Sequence, residues 1–135
     1  MKLTLSIPVS CLLFALLHSC AFDVVRVTQI PTKLDSLALT KSSFELDKEV
    51  TVNLDTGYSR VLKKGTRWAC VGAIPEGDVY KTKDQILTIE GSNIHEAYIV
   101  LKSQDLVGFY LPVERTFSPL SNPIAISAKE IVNNP

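Results

Sequence analysis

Histidine, cysteine and glycine are scarce in this chain, and each scarcity closes off a class of function. Two histidines, His18 and His95, and three cysteines, Cys11, Cys20 and Cys70, are spread over 135 residues. No pair of cysteines has metal-ligand spacing. The His95-Glu96 dipeptide lacks the second histidine that a zinc-protease helix would place at Ile99. Six scattered glycines make neither a phosphate-cradling loop nor a Gly-x-Ser-x-Gly elbow. Charge of one sign is lacking too: 14 basic and 14 acidic residues give a formal net charge of +0. Such a chain has no long-range field to steer nucleic acid or an anionic membrane surface. No metal, cofactor or nucleic-acid partner is expected.

What the chain does have is an apolar segment at its start. Met1-Lys2 supplies a minimal positive region, and residues 3–17 are apolar apart from small polar residues and Pro8. As a helix this run would reach about 22 Å, short of the roughly 30 Å hydrocarbon core, so it reads as a cleavable signal peptide. It ends in Leu17-His18-Ser19-Cys20. That stretch resembles the lipobox of bacterial lipoprotein precursors: an aliphatic residue, two small residues and a cysteine. Leu17 and Ser19 match the pattern, while His18 is bulkier and more polar than usual there.

The resemblance implies cleavage before Cys20, a diacylglyceryl group on its sulphur and a further acyl chain, typically palmitate, on its amine. Residues 1–19 are then signal peptide, and residues 20–135 are one lipid-anchored domain. In a Gram-negative envelope, Ala21 in place of aspartate favours the outer membrane, on its periplasmic face or at the cell surface. Two other readings stay open. Ser19-Cys20-Ala21 also fits a small-x-small site cut after Ala21, giving a secreted periplasmic protein, and Cys20 would be a plain thiol if the match is fortuitous.

Removing 19 of 135 residues leaves 116, enough for one domain with a self-sustaining core. Cys70 is then without an intrachain cysteine partner. It reads as a small buried hydrophobe in a strand, with a reactive thiol or an intermolecular bridge as the sharper alternative.

No stretch after residue 21 keeps a 3.6-residue apolar period, whereas period-2 alternation and turn chemistry recur. Strands are expected at residues 22–30, 49–54, 59–62, 66–74, 78–81, 85–90, 97–101 and 107–111, with a further short one at 124–126. Residues 32–43 read as a polar connection, and the chain after Phe117-Ser118-Pro119 as irregular. Trp68, Cys70, Gly72 and Ile74 should share a face, and Pro75-Glu76-Gly77-Asp78 is the strongest turn signal. Residues 97–101 and 107–111 are apolar on both faces, which puts them at the centre of the fold with something packed outside. The class is all-β, a small antiparallel barrel-like or sandwich domain, with a barrel preferred.

The candidate binding residues are Trp68, His95, Glu96, Tyr98 and Tyr110. Tyrosine and tryptophan combine apolar area with a polar handle, so they suit cores and recognition surfaces alike. Glu96 and Tyr98 should share a strand face. A Cys70–His95 nucleophile pair is the enzyme reading; a histidine held locally at a strand end is the simpler one. Lys63, Lys64 and Arg67 form a small basic cluster beside a turn. The function expected is non-enzymatic: a lipid-anchored module that binds another envelope component, protein or glycan. A small barrel carrying an apolar ligand is the alternative.

Overall fold

The computed structural model describes residues 24–38 and 42–131; the leader, Cys20 and the tail Asn133-Asn134-Pro135 lie outside the described residues. The chain is all-β. In order, its strands are β1 (Ile30–Pro31), β2 (Ser43–Leu46), β3 (Val50–Asn53), β4 (Ser59–Leu62), β5 (Arg67–Ile74), β6 (Gly77–Thr82), β7 (Thr88–Glu90), β8 (Ile94–Glu96), β9 (Tyr98–Lys102), β10 (Asp105–Leu111), β11 (Thr116–Ala125) and β12 (Ala128–Ile131). One 3-10 turn spans Ser36–Ala38. Among the described residues no helix is long and apolar enough to cross a membrane.

Eight strands form one antiparallel sheet in the order β1-β11-β10-β9-β6-β5-β2-β12, while β3–β4 and β7–β8 are separate hairpins. The ladder is open, yet strands near its opposite ends are consecutive in the chain. β11 pairs with β10, β12 pairs with β2, and only Ile126 and Ser127 intervene. The Ile126 amide donates to the Gln104 carbonyl, and the Asp47 amide donates to the Ser127 carbonyl, both at 2.9 Å. Two residues can bridge those positions only if the sheet curls. The barrel preference is thus met in curvature, but the hydrogen-bonded ladder does not close.

Curling gives the sheet an inside and an outside. Inside, Leu46, Trp68, Ile99, Leu101, Phe109 and Leu111 pack in one cluster, and the two hairpins cover it with Val50, Val52, Leu62 and Ile89. Each such side chain, once fully buried, contributes about 1.5–3 kcal/mol, so this cluster dominates stability. Outside, Ile74, Val79, Val100, Tyr110 and Phe117 form a second cluster. That is why β9 and β10 are apolar on both faces. The cover is the segment 32–38: Leu34 packs on the outer cluster, and Asp35 and Ala73 exchange both backbone hydrogen bonds, at 2.8 and 3.0 Å. Gly72 permits the approach, because a Cβ there would sit 2.5 Å from the Asp35 carbonyl oxygen.

Two bulges decide which side chain meets which cluster. Tyr80 opposes Cys70 but Val79 opposes Gly72, leaving Val71 extra; Leu101 opposes Leu106 but Val100 opposes Gly108, leaving Val107 extra. Trp68 therefore faces inward while Val71 and Ile74 face outward, which corrects the shared face expected for Trp68 and Ile74.

Other expectations need revision. Of the described residues 24–30, only Ile30 joins a ladder, with Pro31 beside it; residues 22 and 23 of that expected strand lie outside the described residues. The connection at 32–43 ends in β2, and β11, the longest strand, occupies the stretch read as irregular. The strand at 85–90 is reduced to Thr88–Glu90, and β12 follows β11. The turn at 75–78 is tighter than expected, since Gly77 already pairs with Ile74 and leaves only Pro75-Glu76 in the loop.

Candidate interaction surface

The residues singled out from the sequence go to three separate places. Trp68 is completely buried, stacked on Phe44 with ring centroids 6.4 Å apart, and Tyr80 meets Phe44 edge-on at 5.0 Å. Its indole Nε1 is buried without a hydrogen-bond partner. Trp68 is a core residue and leaves the set of surface contacts.

His95 and Glu96 lie on β8. The His95 ring is buried, opposite Ile89 on β7, with Nδ1 2.6 Å from Oε1 of Glu114. Glu96 ends that strand, and buried Ala97 separates it from Tyr98, which begins β9 in the other sheet. Glu96 and Tyr98 thus do not share a strand face as expected. Cys70 is buried, and its thiol donates towards the Gly72 carbonyl at 3.5 Å. Cys70 and His95 are each engaged elsewhere, so the geometry assembles no nucleophile pair. Among the described residues no three of His, Cys, Asp and Glu are grouped to hold a metal ion.

Tyr98 and Tyr110 do come together. They are register partners on β9 and β10, with ring centroids 6.3 Å apart and planes tilted by 44°. Lys81 of β6 places its Nζ 5.5 Å from the Tyr98 ring centroid, within cation–π range. Tyr110 is itself buried in the outer cluster, and with Thr32, Lys33, Leu34 and Arg115 it lines an open concavity of about 390 Å³. Arg115 takes the left-handed conformation, with φ 55°, and its carbonyl accepts the Thr32 amide at 3.1 Å. One turn, residues 112–115, therefore carries Glu114 to His95 and Arg115 to the tyrosine surface. Lys33, Lys81, Glu114 and Arg115 escaped the sequence reading. No periodicity marks them, because the pairing of β6 with β9, a crossing segment and a turn position them.

The expected basic cluster is different. The Arg67 guanidinium reaches Asp84 at 2.6 Å. That hydrogen bond raises the arginine further and holds the Asp84 carboxyl below the usual carboxylate range, at the solvent-facing surface. Such a pair adds little to stability. A cavity beneath the inner cluster, lined in part by Val27, Ile89 and Phe109, has about 30 Å³, room for roughly one water. Compared with models of known protein families, with curated proteins and with solved structures, the chain matches none.

Proposed function

We propose that the chain is a lipid-anchored envelope lipoprotein, held at the outer membrane through Cys20, whose β-domain is a non-enzymatic module that binds another envelope component, protein or glycan. The observation that carries the binding surface is half-buried Tyr98, with Lys81 over its ring and its register partner Tyr110 buried in the outer cluster beneath a concavity rimmed by Lys33 and Arg115. Aromatic faces and the sugar or peptide groups they stack on share apolar area. The flanking cations supply charge-assisted hydrogen bonds. The alternative, a carrier of an apolar ligand, is less well supported. Trp68, Tyr80 and Phe109 would be its lining, yet they belong to a packed cluster whose adjoining cavity is about 30 Å³, against the several hundred Å³ that ligand sites occupy.

A benzophenone amino acid at position 98, introduced into the full-length protein in cells, tests the proposal. A discrete adduct should form on irradiation, be absent with the same group at exposed Lys48, and disappear when Lys81 and Arg115 are both changed to glutamate. No adduct from position 98, or equal adducts from both positions, would sink it.

A further inference from the structure

The chain enters the described part of the fold at one firmly held place. The Val25 carbonyl accepts a hydrogen bond from the Ser92 amide at 2.8 Å. Gly91 packs so closely that a Cβ there would lie 2.9 Å from both the Val25 oxygen and the Val27 nitrogen. Val27 itself is buried in the inner cluster. From Val25 onward the chain is therefore bound to the β7–β8 turn and does not hang from the domain as a stalk.

The surface around this attachment is uncharged and mixed, two exposed valines and a tyrosine set among small polar groups. Val24, Val25 and Tyr58 are 58%, 49% and 48% exposed. With Thr56, Gly91 and Ser92 they line an open concavity of about 350 Å³ in which no lining residue is charged. Ile94, 70% exposed, follows the same turn.

We infer that this patch rests on the lipid surface itself, with the interfacial layer of the bilayer as its occupant. The inference builds on the lipoprotein reading of Cys20. Three residues separate Cys20 from Val24, and a chain of that length spans at most about 14 Å when fully extended. Acyl chains in the bilayer hold Cys20 at headgroup level. Whatever path those residues take, the surface around Val24 stays within that reach of the headgroups. An uncharged patch there loses no ion hydration on contact. The valines leave water, and the Tyr58 phenol meets the wet boundary where tyrosine is enriched in membrane proteins. Because the net charge is near zero, apolar contact rather than attraction to anionic lipid orients the domain.

The test uses the mature lipidated protein in vesicles of phosphatidylethanolamine and phosphatidylglycerol that carry a shallow acyl-chain nitroxide. A small fluorophore is attached in turn to Tyr58→Cys, Ile94→Cys and Leu37→Cys. Leu37 lies in the segment covering the opposite face of the sheet, and buried Cys70 stays unlabelled in the folded domain. Quenching by the lipid-borne nitroxide should be several-fold stronger at positions 58 and 94 than at 37. Equal, weak quenching at all three, with acyl mass present on Cys20, would overturn the inference and leave the lipoprotein reading standing. Protection of position 58 from aqueous iodide without nitroxide quenching would assign the patch to a protein or a second copy, and overturn it too. Absence of acyl mass on Cys20 would remove the lipoprotein reading and this inference with it.

Discussion

Nδ1 of His95 lies 2.6 Å from Oε1 of Glu114, a side-chain bond that ties strand β8 of one hairpin to the turn following β10 of the main sheet. The link is mostly shielded from water, and the second carboxylate oxygen of Glu114 is buried with no partner. Because Arg115 follows Glu114 in the same turn, this bond also positions the rim of the tyrosine surface.

Glu114→Ala should therefore cost about 1–3 kcal/mol, the penalty of leaving a buried imidazole N–H unsatisfied. Glu114→Gln should cost less, since the amide oxygen still accepts from Nδ1. Urea unfolding of the two variants checks this; equal stability of wild type and Glu114→Ala would mean the bond contributes nothing.

Gly77 gives a second prediction. A Cβ at that position would run into the Leu101 carbonyl and lie 3.3 Å from the Lys102 nitrogen, so the start of β6 lies against the end of its partner β9 with no room to spare. Gly77→Ala should destabilise by about 1–3 kcal/mol, the range for overpacking, through backbone that cannot yield as a side-chain rotamer would. An unchanged denaturation midpoint would show that the two strands separate there without penalty.

These two sites show where the sequence was legible and where it was not. Alternation in Val50–Asn53 and the doubly apolar runs of β9 and β10 marked the class and the centre, because period-2 burial is local information. Residues 24–29 carry β-branched side chains, yet they meet a turn and the core rather than a free strand edge. Strand propensity without a pairing edge gives an extended strap. β11 was hidden by Pro119 and Pro123. From Ser118 onward its only partner is β10, and residues 120–123 bulge out of that ladder, so an unpaired edge tolerates the missing amides. The face of Ile74 depended on one extra residue, Val71, which no pattern announces. At the candidate surface Tyr98 and Tyr110 were legible as aromatics on central strands. Their cationic neighbours were not, since contacts from three separate segments bring them there.

Tyr80 links stability to alkaline pH. Burial raises its phenol above the ordinary value of 10.0, and the hydrogen bond with Ser42 offsets part of that rise. The unfolded chain then ionises at lower pH than the folded one and binds fewer protons, so this contribution to stability is intact below about pH 10 and declines as pH rises further. Tyr80→Phe removes the titration together with the Ser42 bond. The stability difference between wild type and variant should be flat from neutral pH to about pH 9 and shift in favour of the phenylalanine above about pH 10. Parallel curves up to the alkaline limit would show that the phenol ionises alike in both states.

The anchor is the prediction on which localisation depends. Each acyl CH₂ placed in the bilayer is worth about 0.8 kcal/mol, and two or more chains give stable attachment where one does not. The patch of Val24, Val25 and Tyr58 offers far less apolar area, enough to orient a tethered domain and too little to retain a free one. Cys20→Ser should block lipidation and, where processing requires the lipid, leave a precursor held by its uncut leader. Replacing the first 21 residues with an ordinary cleavable signal peptide is the cleaner test, because it removes the acyl site and the leader together. That domain should be released folded, recovered in the soluble fraction, with the urea midpoint of the lipidated form. If it still sediments fully with membranes, something other than the lipid holds it. If wild-type Cys20 carries no acyl mass, the lipoprotein reading is wrong and cleavage after Ala21 takes its place.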